Sequence, residues 1–317
     1  MNNVGCSDCH NSKTMDLKPA RPALYEAWQR VGKDVNKATH QEMRSLVCAQ
    51  CHTEYFFKGE GQYLTFPQDS GMTVEAMEKY YDAMNYKDYT HALSRAPILK
   101  AQHPGYEVHQ MGIHGQRGVS CADCHMPYMS KGGVKYTDHH IMSPLANIER
   151  TCQTCHRQSA ETLRQNVYER QRKCNEIRNR VENELATAHI EAKFAWDKGA
   201  TEAEMKPVLD LLRKSQWRWD FAVASHGAAF HAPQEITRIL SHSLDLANQA
   251  RLKVAKVLAR HGFNDDVPMP DISTKAKAQA YIGVDMKQKE ADKEKFLNTV
   301  VPQWIKKAKA AGRAIDL

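Results

Sequence analysis

The sequence predicts a mainly α-helical protein, and two features of its 317 residues support this fold class. Apolar and polar residues seldom alternate with a period of two, so almost no sheet is expected. In the second half, apolar residues instead recur at helical spacing over long stretches. We therefore expect short helices and loops in residues 1–157 and long helices in residues 158–317, with both regions belonging to one continuous structural unit.

The longest predicted helix covers residues 158–198. Its apolar residues recur at steps of three, four or seven from Leu163 to Ala195. At 1.5 Å per residue this helix would be roughly 60 Å long, and it ends near Gly199. An apolar stripe of this kind is typical of a bundle or dimer element. We expect residues 158–198 to form a dimer interface, with packing on the same chain as the alternative.

Three further helices are predicted after this one. Thr201, followed by Glu204 three residues later, has the pattern of a capping box and begins the first of them. The other two cover about residues 234–261 and about residues 286–311, because apolar residues there keep the helical spacing. The Pro-containing stretch 267–273 between them is predicted to be a loop.

Four copies of Cys-x-x-Cys-His lie in residues 1–157 and use eight of the nine cysteines. This motif is typical of covalent c-type haem attachment, in which two thiols bond to one porphyrin and the next residue ligates the iron. The attaching residues are Cys6, Cys9, Cys48, Cys51, Cys121, Cys124, Cys152 and Cys155, and the proximal ligands are His10, His52, His125 and His156. The sequence therefore predicts four haems c and a multihaem cytochrome c with a haem-packed core and long C-terminal helices.

Zinc is the main alternative occupant of the cysteines, because two Cys-x-x-Cys pairs can form a tetrahedral thiolate site. Zinc does not require a His directly after the second Cys, however, and all four copies have one. A thioredoxin-type redox pair would need only one copy within a βαβ pattern. The ninth cysteine, Cys174, lies on the apolar face of the longest predicted helix and is expected to be a buried free thiol.

The composition agrees with a core that haem helps to fill, because aromatic residues make up only 8% of the chain. The formal charge is +7, but two propionates on each of four haems would change the total to roughly −1. The basic balance is therefore weak support for nucleic-acid binding, and no nucleic-acid partner is expected. No run of 18 apolar residues suggests a membrane span.

Haem attachment to several such motifs normally occurs outside the cytoplasm, which favours an exported protein. No signal peptide is visible before Cys6. The chain is therefore expected to be a mature or truncated form of a longer precursor.

Twelve of the sixteen histidines lie outside the four motifs. An electron-transfer haem usually has a second axial His, whereas a haem that reacts with substrate must keep one face open. Three histidines are the expected distal ligands, because one lies just before the third motif, one between the third and fourth motifs and one at a predicted helix junction; His226 is a weaker candidate. The three are His114, His139 and His231.

The chain resembles the ammonia-forming cytochrome c nitrite reductases over essentially its whole length. The resemblance rests on the segments 48–57, 99–106, 112–115, 136–139, 199–207, 216–220, 224–227 and 231–233. It implies a periplasmic enzyme that reduces nitrite to ammonium with six electrons on one haem, which has an unusual Cys-x-x-Cys-Lys motif. It also implies an electron donor, either a membrane quinol dehydrogenase or a soluble cytochrome.

The resemblance implies roles for individual residues. By motif match, Tyr55 and His103 would lie beside nitrite. A calcium ion would be bound by the side chains of Glu54 and Gln102 and by the backbone carbonyls of Tyr55 and Lys100, and oxygen-only ligation of this kind suits calcium. His114, His139 and His231 would be distal haem ligands in the family as well.

The residues by themselves support part of this interpretation. Glu54 and Tyr55 closely follow the haem ligand His52 along the chain, so they are expected near a haem edge. His103 precedes Pro104 in a loop, and an imidazole there can deliver protons near neutral pH. The alternative is that Tyr55 and His103 hydrogen-bond to haem propionates.

The sequence departs from the family in one large respect, because it contains no Cys-x-x-Cys-Lys. In the family, the lysine-ligated haem, a substrate-binding Arg and one distal His precede the first motif found here. We therefore expect the chain to correspond to the C-terminal two thirds of such an enzyme, with one haem lacking its distal ligand and with impaired activity on its own. The alternatives are a non-enzymatic tetrahaem electron-transfer cytochrome and a related hydroxylamine or sulfite reductase.

Overall fold

The computed structural model describes residues 4–312, which are mostly α-helical as predicted. The chain divides into two compact units. The larger unit, Cys6–Asp265, contains all four haem motifs together with the long helices predicted around residues 158–198 and 234–261. The smaller unit holds described residues on either side of that range. The larger unit therefore extends across the border at residue 157 that the sequence suggests.

The helices of the larger unit are α1 (Cys6–Cys9), α2 (Pro22–Arg30), α3 (His40–Ala49), α4 (Val74–Ala83), α5 (Gly105–Met111), α6 (Ile113–Gln116), α7 (Cys121–His125), α8 (Ile148–Thr151), α9 (Ala160–Asp197), α10 (Glu202–Ala224), α11 (Ala228–His231) and α12 (Pro233–Arg260). The smaller unit contains α13 (Lys275–Tyr281) and α14 (Met286–Ala310). Short 3-10 turns lie at Val35–Lys37 and Pro144–Ala146.

Sheet structure in the described residues is limited to three antiparallel strand pairs, close to the near absence of sheet that the sequence predicts. The pairs are β1 (Phe56–Lys58) with β2 (Tyr63–Thr65), β3 (Tyr89–Thr90) with β4 (Pro97–Ile98), and β5 (Tyr128–Lys131) with β6 (Val134–Thr137). In the last pair Tyr128 lies opposite Thr137, so the hairpin ends two residues before His139.

Helix α9 matches its predicted limits to within two residues at each end. Its apolar stripe, including Val181 and Leu185, is buried, and α9 contacts α10 and α12. The thiol of Cys174 is buried and free, as predicted. The stripe that suggests a dimer element is thus used for packing within the chain, while ion pairs such as Arg172–Glu176 lie on exposed positions of α9. The dimer interface stays a prediction.

The other C-terminal helices also agree with the sequence. The capping box at the start of α10 is confirmed, since the side chains of Thr201 and Glu204 each accept a hydrogen bond from the other's backbone N–H. Helices α12 and α14 have nearly the predicted bounds, and residues 267–273 form a loop. None of the helices within residues 4–312 is both long and apolar enough to cross a membrane.

One buried cluster lies within the first region, and a second buried contact joins that region to these helices. Leu24 on α2 packs in one cluster with Leu46 on α3 and with Phe66, which fixes the helix that ends at the second motif. In the second contact the indole N–H of Trp217 on α10 donates to the carbonyl of Val74 on α4 at 2.8 Å. Because Trp217 is fully buried, this hydrogen bond joins α10 firmly to the first region.

Candidate functional site

Each Cys-x-x-Cys-His motif is folded as a single helical turn. In three motifs the His backbone N–H donates to the carbonyl of the first Cys at 2.8 Å: His10 to Cys6, His52 to Cys48 and His156 to Cys152. The third motif, Cys121–His125, is helix α7 itself. Because residues three and four apart share one helix face, such a turn presents both thiols and the imidazole on one side.

The motif cysteines are available for thioether bonds. All nine cysteines of the chain lie within the described residues, and all are free thiols. Across residues 4–312, no group of three or more His, Cys, Asp or Glu side chains converges so as to hold a metal ion. A structural zinc site needs four such ligands, and the described residues hold no preassembled set of this kind.

Three of the four motif histidines face a second imidazole at nearly the same separation. The ring centres are 6.1 Å apart for His10 and His139, 6.1 Å for His156 and His114, and 6.2 Å for His125 and His231. A metal–imidazole bond is about 2 Å long and each ring nitrogen lies about 1 Å from its ring centre, so two imidazoles on opposite faces of one iron have centres about 6 Å apart. The three histidines that the sequence predicts as distal ligands are the three found at this distance.

Backbone carbonyls fix the tautomer of several of these imidazoles. A carbonyl can only accept, so each ring Nδ1 in such a contact carries the proton and leaves the Nε2 lone pair for a metal. The contacts are His10 Nδ1 to the Met15 carbonyl at 2.7 Å, His125 Nδ1 to the Met142 carbonyl at 2.9 Å, and His139 Nδ1 to the Thr137 carbonyl at 2.8 Å. The Nε2 atoms of these imidazoles are therefore available to a metal.

His231 is positioned instead by two glycines that the sequence analysis does not single out. A Cβ at Gly112 would lie 1.7 Å from the His231 carbonyl oxygen, and a Cβ at Gly227 would lie 2.4 Å from its ring Cε1. Burial lowers the pKa of His231 to about 4, so its imidazole is neutral and able to ligate a metal. Both glycines belong to segments that carry the family resemblance, which is the signal that could have identified them.

The fourth motif histidine, His52, is in a different environment. Its ring centre is 4.5 Å from that of His103, too close for an iron between the two rings, and the rings are inclined by 49°. His103 in turn contacts the ring of His226 at 5.8 Å. Burial lowers the pKa of His52, and His103 contributes. In the part of the chain that the structure describes, His52 thus has no opposing imidazole at the separation of the other three pairs.

The four motifs lie next to one another in the same order as along the chain. Helix α1 contacts α3, α3 contacts α7, and α7 contacts α8. The thiols of Cys48 and Cys121 share a hydrogen bond, so the second and third motifs meet at their attachment residues. Burial raises the pKa of Cys124 to about 12, and the nearby thiol of Cys152 adds to the rise, which places the third and fourth motifs side by side. This succession suits stepwise electron transfer.

Glu54 forms a buried junction next to the second motif. Its side chain is fully buried, and Oε2 accepts hydrogen bonds from the backbone N–H groups of Gln102 at 2.8 Å and His103 at 3.2 Å. The hydroxyl of Tyr81 donates to Oε1 at 3.4 Å. Burial raises the pKa of Glu54 well above its usual value, and the neighbouring carboxyl of Glu107 adds to the rise. The junction therefore joins the predicted site residues Glu54, Gln102 and His103.

Glu107 is a second buried carboxyl group here, and the sequence analysis does not single it out. Its Oε1 accepts from the Thr53 hydroxyl at 2.5 Å, from the Glu54 backbone at 2.9 Å and from the Gln68 amide at 2.5 Å. Its Oε2 is buried without a hydrogen-bond partner among the described residues. Two adjacent buried carboxyl groups with an unsatisfied oxygen favour a bound cation. Nothing in the local pattern around Glu107 marks it, because its burial depends on tertiary contacts.

Three of the residues expected to bind calcium, Glu54, Gln102 and Lys100, are linked by hydrogen bonds, and Tyr55 follows Glu54 in the chain. The side-chain amide of Gln102 donates to the carbonyl of Lys100 at 3.3 Å, so the amide group and that carbonyl are neighbours. The Lys100 ammonium group points to Asp220, 3.4 Å away. The ring of Tyr55 is partly buried and meets Phe57 edge to face, with ring centres 5.9 Å apart. The carboxylate, amide and carbonyl oxygens form a donor set that fits a hard cation such as calcium.

Comparisons with known proteins find similar sequences. The sequence model of the cytochrome c552 family matches residues 1–312. The chain is 74% identical over 313 residues to a cytochrome c-552 of Bacteroides thetaiotaomicron and 69% identical over 315 residues to one of Porphyromonas gingivalis. These matches cover 99% of the chain but 64% and 63% of the relatives. The chain thus spans less than two thirds of the length of either relative.

A solved structure is similar as well. It is the catalytic subunit of the cytochrome c nitrite reductase of Desulfovibrio desulfuricans, described with two calcium sites. The TM-score is 0.75 and the identity 33%, over 81% of this chain and 58% of the other.

Proposed function

The chain belongs to the cytochrome c552 family, and from this premise we propose that it binds four haems c and takes part in the six-electron reduction of nitrite to ammonium. In this proposal the chain carries electron-relay haems and part of the substrate pocket. The catalytic Cys-x-x-Cys-Lys haem is not among its 317 residues.

The proposed haem ligands follow from the imidazole separations. His10 with His139, His125 with His231, and His156 with His114 would each hold one haem iron; their ring centres are 6.1, 6.2 and 6.1 Å apart. These haems supply and pass single electrons when bound. His52 would hold the haem of the second motif, and the described residues provide no second imidazole at the separation of the other three pairs.

The proposed roles of the pocket residues follow from the Glu54 junction. Glu54 holds the backbone of Gln102 and His103 through two hydrogen bonds, which fixes the loop that carries the His103 imidazole. His103 is then placed to deliver protons to a reducing oxyanion, with Tyr55 as a second pocket residue. Calcium bound by Glu54, Gln102 and the carbonyls of Tyr55 and Lys100 would neutralise the buried carboxylates and rigidify the loop.

The single observation that carries this proposal is the fully buried Glu54, which joins the second haem motif to the loop of Gln102 and His103. A protein that only relays electrons has no need of a buried oxygen-donor site beside one haem. The solved neighbour, a nitrite reductase with two calcium sites, is consistent with this assignment. A non-enzymatic tetrahaem cytochrome remains the second candidate, favoured by the linear succession of motifs.

The proposed setting of the protein is the periplasm, where haem c is attached. Its electron donor would be a membrane quinol dehydrogenase or a soluble cytochrome. The protein would act as a homodimer through exposed positions of α9. Light scattering of the haem-loaded protein at micromolar concentration tests this association, and a clean monomer would rule it out.

The experiment that tests the function is nitrite reduction by haem-loaded protein of the length of its relatives, with reduced methyl viologen as donor and ammonium as the measured product. His103→Asn should lower turnover about 100-fold, because it removes a positioned proton donor. His40→Asn, at the exposed first residue of α3, is the matched control and should keep turnover unchanged. Equal turnover of the two variants would refute a role of His103 in the reaction.

A second measurement separates the two candidates. The 317-residue chain alone should form little or no ammonium, since it has no Cys-x-x-Cys-Lys. Its electron paramagnetic resonance (EPR) spectrum should show low-spin haems together with one high-spin haem at His52. A spectrum with low-spin signals alone would favour the electron carrier.

A further inference from the structure

Arg44 is a buried cation at the centre of the haem-attachment region, and neither the motifs nor the family resemblance assigns it a role. It lies on α3 and is only 3% exposed. Its Nη1 donates to the Thr137 hydroxyl at 3.1 Å, and its Nη2 donates to Asp123 Oδ1 at 3.1 Å. The guanidinium group also lies 4.4 Å from the ring centre of Tyr128. The Lys135 ammonium group lies 3.9 Å from the centre of the same ring.

Each partner of Arg44 is tied directly to a haem ligand or attachment site. The carbonyl of Thr137 accepts the Nδ1–H of His139, the proposed distal ligand of the first haem. Thr137 therefore accepts hydrogen bonds from both Arg44 and His139. Asp123 lies between Cys121 and Cys124 of the third motif. It also accepts hydrogen bonds from the backbone of Ser120 and from the side chain of Gln41.

Arg44 itself lies on the helix that carries the second motif. Cys48 is one turn further along α3, and the hydroxyl of Ser45, the next residue, accepts the backbone N–H of Cys121 at 3.1 Å. A single guanidinium group therefore connects the helix of the second haem, the attachment turn of the third haem and the strand that leads to the distal ligand of the first.

The choice of arginine has a physical reason. Its planar fork directs two donors to two different acceptors at once, which a lysine ammonium group on a flexible stem cannot reproduce with the same rigidity. The Nε of Arg44 is buried and has no hydrogen-bond partner among the described residues. A buried cation also favours the reduced state of a nearby haem, because reduction removes one positive charge from the iron.

We propose that Arg44 is a positioning residue that holds His139 in its axial orientation, through Thr137, and tunes the potential of the His10/His139 haem by its charge. This inference rests on the proposed haem binding, and it concerns a residue that does not itself ligate iron. The geometry that it maintains is the 33° angle between the ring planes of His10 and His139.

The two effects can be separated with three variants of the haem-loaded protein. Arg44→Gln removes both the charge and the planar guanidinium group that donates to two acceptors. Arg44→Lys keeps the charge and loses that planar group. Thr137→Val removes the hydroxyl acceptor and leaves Arg44 in place. The EPR signal of a low-spin haem depends on the angle between its axial imidazole planes, whereas the midpoint potential also responds to charge. The signal of the His10/His139 haem is assigned as the low-spin signal that His139→Gly removes.

We expect a shifted low-spin signal for that haem in all three variants. Its midpoint potential should fall in Arg44→Gln and stay closer to the original in Arg44→Lys and Thr137→Val. Arg30→Gln is the matched control, since Arg30 also bonds to one carboxylate and one further oxygen, at Asp69 and Phe66, but lies outside the four motifs. It should leave both the signal and the potential unchanged.

The proposal is overturned if Thr137→Val and Arg44→Lys keep the original EPR signal, or if Arg44→Gln leaves the potential where Arg30→Gln leaves it. If Arg44→Gln fails to acquire haem, the Thr137→Val signal decides the positioning role. A failure of the underlying haem assignment is recognised separately, because the unmodified protein would then lack covalent haem by mass spectrometry.

Discussion

Single residues near the motifs decide which imidazole nitrogen is available for iron. The carbonyls of Met15, Thr137 and Met142 each accept an Nδ1–H, which leaves Nε2 free in His10, His139 and His125. These contacts are local, since each carbonyl is within seventeen residues of its histidine. Orientation by a hydrogen bond to the opposite ring nitrogen is a general way of fixing a metal-ligating His.

Gly227 illustrates a steric control of ligation. We expect Gly227→Ala to displace the His231 imidazole, because the added Cβ would lie 2.4 Å from ring Cε1 while the backbone φ of −89° accepts alanine without strain. The haem of the third motif should then lose a strong axial ligand and change from low spin to high spin, which EPR of the haem-loaded protein measures.

Gly61→Ala is the matched control for this prediction. A Cβ at Gly61 meets no atom within 4 Å, and its φ is not in the left-handed region. The control should retain the original spectrum. An unchanged low-spin spectrum for Gly227→Ala would show that His231 does not ligate that haem.

Secondary-structure elements are set largely by their own end signals and apolar spacing. Helices α3, α7 and α10 each begin with a capping box, at Thr39, Ser120 and Thr201. In α7 this cap includes Asp123. Its side chain accepts a hydrogen bond from the backbone of Ser120 at the start of the third motif's helix, and another from Arg44. The start of α7 and the position of Arg44 are therefore coupled at this residue.

The cap of α10 predicts a pH dependence of stability. Hydrogen bonds from Thr201, and then the contact with His261, lower the pKa of Glu204 to about 2. A carboxyl group with a lowered pKa in the folded state stabilises the fold above its unfolded pKa and loses this effect as the pH falls through the folded value. Glu204→Gln should thus be less stable than the original protein near pH 6, and the difference should shrink between about pH 4.5 and pH 2.

Urea unfolding followed by far-UV circular dichroism at pH 6, 4 and 2.5 measures this difference. Glu202→Gln is the control, because Glu202 is in the same first turn but outside the capping box. A stability difference for Glu204→Gln that does not depend on pH would contradict the assigned role of the carboxylate.

At the scale of the whole molecule, the larger unit has an uneven distribution of buried side chains. Helices α9, α10 and α12 bury residues along their full length, including Val181, Leu212 and Ile239. The motifs instead lie on or beside short helices, and α1 has no buried residue. Helices of four or five residues are marginal in water without tertiary partners. We therefore expect the region before α9 to depend on covalently attached haem for much of its order.

Protein made without haem attachment should show this difference in limited proteolysis. We expect early cleavage within residues 6–157 and survival of a fragment that contains α9, α10 and α12, identified by mass spectrometry. The haem-loaded protein is the control and should resist cleavage in both regions. Equal survival of the two regions in the haem-free protein would contradict the dependence on haem.

The sequence by itself determined the helical class, the four attachment motifs and the limits of the long helices. Each of these follows from spacing within one or two turns, as the capping box at Thr201 and the period of α9 show. The same local pattern could not reveal what covers the stripe of α9, which proved to be the chain itself.

Only the tertiary structure decided how distant residues combine. It brought each predicted distal imidazole close to a motif imidazole, such as His231 to His125, over a separation of more than a hundred residues. It buried Glu107 against Glu54, and it placed Arg44 between two other elements. Burial and charge pairing depend on which segments meet in space, and a linear pattern contains no such information.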